Sequence, residues 1–195
     1  MIYREFRDIV ISALALALAF AIAFSGGISS ILNLPALLVM TAISLIAVST
    51  GFVFHEMLHR YTARRFGCRA EYKMWPTGLV LALAVSMLGF VFAAPGAVMI
   101  YPRVNLWGKV VHLSKKAYGM ISLSGPLANL ALAAAFMALN IYYPSDVFAL
   151  GKTINVWLAI FNLIPFPPLD GFKIFAWDSR VWLATAAAAG ILFVV

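Results

Sequence analysis

Long stretches of this chain contain almost no ionisable residues. Five runs, at residues 9–24, 36–66, 117–141, 153–164 and 181–195, read as helical spans. The alternating "ALALALAFAIA" of the first is not a strand, because both members of each pair are apolar, and Ala and Leu are strong helix formers. With 64% hydrophobic and 11% charged residues, a soluble domain of 195 residues cannot hide its apolar surface. The expected class is an all-α polytopic membrane protein. It has about five to six transmembrane helices and a re-entrant hairpin or short β segment near its active site. Without internal repeats or a low-complexity linker, residues 1–195 read as one domain. The first segment could pass for a signal peptide and is expected to be retained as a span.

The charges supply a topology. Between spans one and two, "SGGISSILNLP" is a turn signal, with Pro35 suited to the first turn of the next helix. Residues 77–100 could cross once, yet Arg60, Arg64, Arg65, Arg69 and Lys73 precede them and Arg103, Lys109, Lys115 and Lys116 follow. Positive charge on both flanks puts both ends on the cytoplasmic side, so the segment enters and returns. A helix would run in over 77–90, Ala94-Pro95-Gly96 would turn it, and 97–100 would come back extended. Such backbone survives at membrane depth only when buried in protein or lining a cavity. The N-terminus and the loops 60–76, 101–116 and 165–180 are then cytoplasmic. The outer loops, 25–35 and 142–152, hold only Lys152 and Asp146. The formal net charge of +7 reads as this loop bias and not as a nucleic-acid surface. Cys68, the sole cysteine, excludes an intramolecular disulfide.

Against that background, "GFVFHEMLHRYTARRFG" at 51–67 sets two histidines and a glutamate at the end of an apolar run. His55 and His59 are four apart and share a helix face. Imidazole is a common nitrogen ligand for zinc, so the pair offers two ligands, with Glu56 beside them. Glu56 can take a proton from metal-bound water, whose pKa the metal lowers to roughly 7. The bland alternative is a solvated helix end. From Pro35 to His55 is about 20 residues, roughly 30 Å of helix, which brings His55 near the inner hydrocarbon boundary. Ionisable residues at such depth are functional candidates.

A catalytic zinc takes three protein ligands and leaves one position open. His112 is a candidate third ligand, although an ordinary interfacial histidine is its plainer reading within the mixed segment 101–116. Asp170 in "FNLIPFPPLDGF" is the better one. Pro165, Pro167 and Pro168 end the preceding helix in extended backbone, and Gly171 permits a sharp turn. If 77–100 re-enter, Asp170 sits at the depth of His55 and His59; if they cross, it lies on the opposite face.

These residues resemble the site-2 protease family of intramembrane zinc metalloproteases. His55-Glu56-Met57-Leu58-His59 matches its HExxH helix. Asn162-Leu163-Ile164-Pro165 and Pro167-Pro168-Leu169-Asp170-Gly171 match its Asn-x-x-Pro…Leu-Asp-Gly motif. Ser124-Gly125-Pro126-Leu127-Ala128-Asn129 resembles its Ser/Ala-Gly-Pro helix start. The resemblance spans about residues 36–175. It implies one zinc ion on His55, His59 and Asp170, Glu56 as catalytic base, and cleavage of peptide bonds in or beside transmembrane segments of substrate proteins. It also implies that Asn162 holds substrate or the developing oxyanion, against its alternative as a packing amide. Asn129 reads as a packing or hydrogen-bonding residue near the site. The chain departs from the plainest members in its longer 77–93 hydrophobic stretch and in showing no PDZ-like or CBS-like module.

A helix shields its peptide bonds, so a substrate must unwind before cleavage. An extended edge formed by Ala97, Val98, Met99 and Ile100 could receive the unwound segment by strand addition. Two rivals use the same ligands. A zinc transporter or zinc-binding regulator would show polar residues along several spans, whereas here they form one cluster. An inactive scaffold would be expected to lose a ligand or the glutamate, and all four are present. The expected partners are transmembrane substrates and the bilayer.

Overall fold

A computed structural model describes residues 2–102 and 112–195. Seven α-helices and a two-stranded sheet are formed by these described residues. They are α1 (Ile2–Phe24), α2 (Leu34–Arg65), β1 (Arg69–Met74), α3 (Pro76–Ser86), β2 (Gly96–Tyr101), α4 (Lys115–Tyr142), α5 (Asp146–Leu163), α6 (Asp170–Trp177) and α7 (Ser179–Val194). Among the described residues, four helices (Tyr3–Phe24, Leu34–Arg65, Lys115–Tyr142 and Asp146–Leu163) are long and apolar enough to cross a membrane, against an expectation of five to six. The last helix, α7, has 16 residues, short of the ~20 a crossing needs.

The helix starts are written locally. The side chain of Asn33 accepts from the Ala36 N–H at 3.2 Å, and Pro35 stands in the first turn of α2 as expected. Ser114, Ser145 and Asp178 cap α4, α5 and α7 in the same way. The end of α2 is a Schellman turn. Gly67, at φ +76°, lets its own N–H reach Arg64 O and the Cys68 N–H reach Ala63 O. That turn delivers the chain into β1.

Several expectations change here. The loop 60–76 holds a strand: β1 pairs antiparallel with β2, Arg69 opposite Tyr101 through Met74 opposite Gly96. Residues 77–100 turn back on themselves, but α3 stops at Ser86 and not near 90, and the reversal falls just after it, at 87–89, where Gly89 has φ +83°. By Pro95, whose carbonyl accepts the Trp75 N–H at 2.7 Å, the chain is already back beside the start of α3, so 94–96 is not the turn. A short 3-10 helix, Gly27–Leu32, occupies the first turn region. Most of the expected outer loop 142–152 is the start of α5, so the short fourth span does borrow from its flank. The loop 165–180 contains α6, and Gly171 lies inside it without a positive φ. Its bare Cα serves close packing instead, since a Cβ there would strike the Leu163 carbonyl. Pro126 does not start a helix; it sits midway along α4. Arg103, Trp107 and Lys109 of the expected interfacial segment lie outside the described residues.

The main core joins α1 (Leu16, Ala17, Phe20), α2 (Ala47, Val48, Phe52) and α5 (Ile154, Leu158). A second cluster, Leu130, Ala159, Leu163, Ile174 and Ala189, binds α6 to α4, α5 and α7. Glu5 fastens α1 to the sheet. Its Oε1 accepts the Tyr72 backbone N–H at 3.1 Å and pairs with Arg60 Nη1 at 2.9 Å, while Tyr72 Oη donates to Ser12 Oγ at 2.9 Å. The outer edge of β1 is thereby closed.

Candidate metal centre

The 3.6-residue period of α2 turns His55, Glu56 and His59 inward, and all three are buried. The two Nε2 atoms lie 2.9 Å apart. Asp170, in the first turn of α6, places Oδ2 at 2.9 Å from His59 Nε2 and 3.3 Å from His55 Nε2. The structure therefore brings Asp170 to a histidine pair more than a hundred positions earlier in the sequence. His112 is exposed and stands outside this group.

The far nitrogens decide what the near ones can do. His59 Nδ1 donates to the Ile121 carbonyl at 2.7 Å; a carbonyl only accepts, so the ring proton sits on Nδ1. His55 Nδ1 faces Asn129 Oδ1 at 2.6 Å. In neutral rings both Nε2 atoms then present lone pairs toward a carboxylate oxygen. Three acceptors converge without a hydrogen to share, an arrangement that repels itself unless a cation lies between them. Two imidazoles and one carboxylate are a zinc donor set, and the outer hydrogen bonds are those that orient histidine ligands.

Small residues permit the convergence. A Cβ on Gly125 of α4 would lie 2.6 Å from His55 Cε1 and Nε2, and nearer still to His59 Nε2. Bare α4 backbone thus packs against the imidazoles. On the outer side of Asp170, Lys173 brings Nζ to 3.7 Å from Oδ1.

A cavity of about 270 Å³ opens beside the three residues. Glu56 lines it, and its buried Oε2 has no hydrogen-bond partner among the described residues. Ala97, Val98, Met99 and Ile100 of β2 line it too, as does Asn162. The Asn162 amide donates to Leu158 O of its own helix at 2.9 Å. The arrangement provides a triad that could hold a metal ion, a carboxylate with a free oxygen, and a strand around one cavity.

The chain is 39% identical over 185 residues to a Methanocaldococcus jannaschii protein named "Putative zinc metalloprotease MJ0611", a match that covers 92% of this chain and 87% of that one. The chain belongs to the zinc metalloprotease family. A Bacillus subtilis protein named "Putative zinc metalloprotease YwhC" is 29% identical over 156 residues, covering 66% of this chain and 65% of its own. No family model matches the chain, and no solved structure is similar to it. Zinc is the cofactor of this metalloprotease, and His55, His59 and Asp170 form its possible metal site.

Two features escaped the sequence. Asn155 is fully buried behind Asn129 and donates to and accepts from backbone and amide groups there. Its signal was present: an amide in the apolar run "TINVWLAIF" needs partners. Lys173 was legible only once α6 was known to be a helix, since i, i+3 spacing puts it over Asp170.

Proposed function

We propose that this metalloprotease is a membrane-embedded enzyme of the site-2 type, cleaving peptide bonds in or beside transmembrane segments of other proteins. The observation that carries the proposal is the enclosure of the His55–His59–Asp170 triad, the free Glu56 carboxylate and strand β2 around one cavity. Support for the membrane comes from the outer helix faces. Leu38 (61% exposed), Val39 (62%) and Ile191 (64%) point away from the core, beside many other large apolar side chains. Water would leave such a surface unstable to association. In the proposed topology α1, α2, α4 and α5 cross. The segment from α3 to β2 enters and returns, and the N-terminus and the site face the cytoplasm, as the basic end of α2 at Arg64 and Arg65 favours. Residues 1–195 act as one catalytic domain with the lipid bilayer as its solvent.

The sheet register supports strand addition and narrows it. In an antiparallel pair, alternate residues point their N–H and C=O outward. Tyr72 turns its N–H away from β2 to Glu5, so its partner Val98 turns away from β1. Ile100, two residues on, shares that direction. Among the described residues neither has a backbone partner on that side. Val98 and Ile100 are the positions that would hold an unwound substrate as a third strand, with Ala97 and Met99 keeping the sheet intact.

His55, His59 and Asp170 hold the zinc, which when bound supplies Lewis acidity toward a carbonyl oxygen and toward water. Glu56 takes a proton from the attacking water as its oxygen bonds to the carbonyl carbon. The same carboxyl then delivers that proton to the amide nitrogen as the C–N bond breaks, giving a carboxylic acid and an amine. Asn162 stands on the cavity wall to fix the substrate carbonyl. Zinc analysis paired with cleavage of a transmembrane peptide, for wild type and Glu56→Gln, tests the proposal. Wild type should bind one zinc and cleave. A wild type that binds zinc yet leaves every transmembrane peptide intact would sink it.

A further inference from the structure

We infer that Asn155, which touches neither the triad nor the cavity, is a positioning residue that fixes the proton of His55 on Nδ1 and so keeps Nε2 a ligand. The inference rests on the reading of His55 as a zinc ligand. It follows from a buried chain of hydrogen bonds that runs through α2, α4 and α5. Asn155 Nδ2 donates to the Gly151 carbonyl at 2.9 Å. Asn129 Nδ2 donates to Asn155 Oδ1 at 3.1 Å and to the Gly51 carbonyl at 3.1 Å. Asn129 Oδ1 then faces His55 Nδ1 at 2.6 Å. Both asparagines are fully buried, so no water can substitute.

The direction of this chain is forced from its far end. Backbone carbonyls accept and never donate, so the amide atom that faces Gly151 O, and the one that faces Gly51 O, must each be an N–H. Asn155 meets the first with its nitrogen, which leaves its oxygen toward Asn129. Asn129 now faces two acceptors and must show them its NH₂, which leaves its own oxygen toward His55. His55 can meet that oxygen only with an N–H on Nδ1. The opposite tautomer would need Asn129 reversed, with its oxygen against Gly51 O and Asn155 Oδ1. Such a clash of acceptors in a buried site is costly. The space for the relay is kept by Gly51, where a Cβ would fall 2.6 Å from Asn155 Oδ1. His59 is fixed independently, on Ile121 O.

The test uses full-length protein labelled with [15N]histidine in detergent micelles. Zinc is removed by a chelator and the pH held at about 9, where histidine rings are neutral. Nitrogen NMR reports which ring nitrogen carries the proton, and His112→Gln removes the third signal. In wild type, His55 should be protonated on Nδ1. In Asn155→Leu, a measurable fraction of His55 should move to the Nε2–H form while His59 stays unchanged. Zinc affinity by chelator competition should fall roughly tenfold. An Nε2–H His55 in wild type overturns the inference, and this measurement needs no variant to fold. So does an Asn155→Leu protein with unchanged tautomer and unchanged affinity. Should wild type bind no zinc while His55 carries its proton on Nδ1, the ligand reading fails and the tautomer assignment stands.

Discussion

Gly125 on α4 stands so close to His55 on α2 that a methyl group in place of its hydrogen would meet the ring's Nε2 at 2.6 Å. The neighbours are two imidazoles held by hydrogen bonds on their far sides, which cannot step back without losing Asn129 or Ile121. Gly125→Ala should therefore weaken zinc binding by roughly 10- to 100-fold. Chelator competition measures the loss, and an unchanged far-ultraviolet circular dichroism spectrum would show that the helices remain.

Glu56 has a free oxygen in the cavity and lies outside the triad. Glu56→Gln keeps the shape and removes the proton acceptor. Cleavage should fall by at least about 100-fold while zinc content stays at one per chain. A variant that loses its zinc would make Glu56 a ligand instead of a base.

Proline scanning of β2 should give an alternating result. Val98→Pro and Ile100→Pro remove N–H groups that point away from β1, so they should raise KM and spare zinc content. Met99→Pro removes an N–H on the side that faces Glu71, so it should loosen the sheet and lower the melting temperature. Equal effects at 98 and 99 would contradict strand addition.

Zinc and stability should be coupled through Asp170. Three acceptors without a cation repel one another, so chelation should lower the unfolding temperature and added zinc should restore it. In Asp170→Ala the triad is broken, and the unfolding temperature should no longer respond to zinc at concentrations that stabilise wild type.

Glu5 should matter to stability although it lies far from the chemistry. Glu5→Ala leaves the buried Tyr72 N–H and the Arg60 guanidinium without their carboxylate. A loss of about 1–3 kcal/mol is expected from the unmet N–H alone. Glu5→Gln keeps an acceptor for Tyr72 and should lose less. Thermal unfolding in detergent distinguishes the two.

The parts legible in the sequence are those whose signals are local or whose chemistry is rare. The four-residue spacing of His55 and His59 and Pro35 in its helical turn are of that kind. The return of 77–100 was legible from its flanking charges, but its place was not: the chain reverses at 87–89, at Gly89, and not at Ala94-Pro95-Gly96. Asp170 was found because a third ligand was needed and few carboxylates were available. The strand β1 was missed although Arg69, Glu71 and Lys73 alternate with Ala70, Tyr72 and Met74 in the required period of two. Its charges carry the same signal as a cytoplasmic loop. The helix α6 was missed because eight residues after three prolines and an Asp-Gly pair carry a turn signal; Ile174, packed on α4, α5 and α7, holds it helical from outside. Pro126 misled for the converse reason, since α4 carries a proline mid-length where its packed neighbours sustain the helix.

The carboxylate that seals the flank of β1 also makes the sheet one-sided. Under the proposed strand addition, a visiting polypeptide would lengthen it on the flank of Val98 and Ile100, and one molecule would engage a single chain at a time. If substrates bind there, a short peptide mimic occupying that flank would compete with all of them, whatever their side chains.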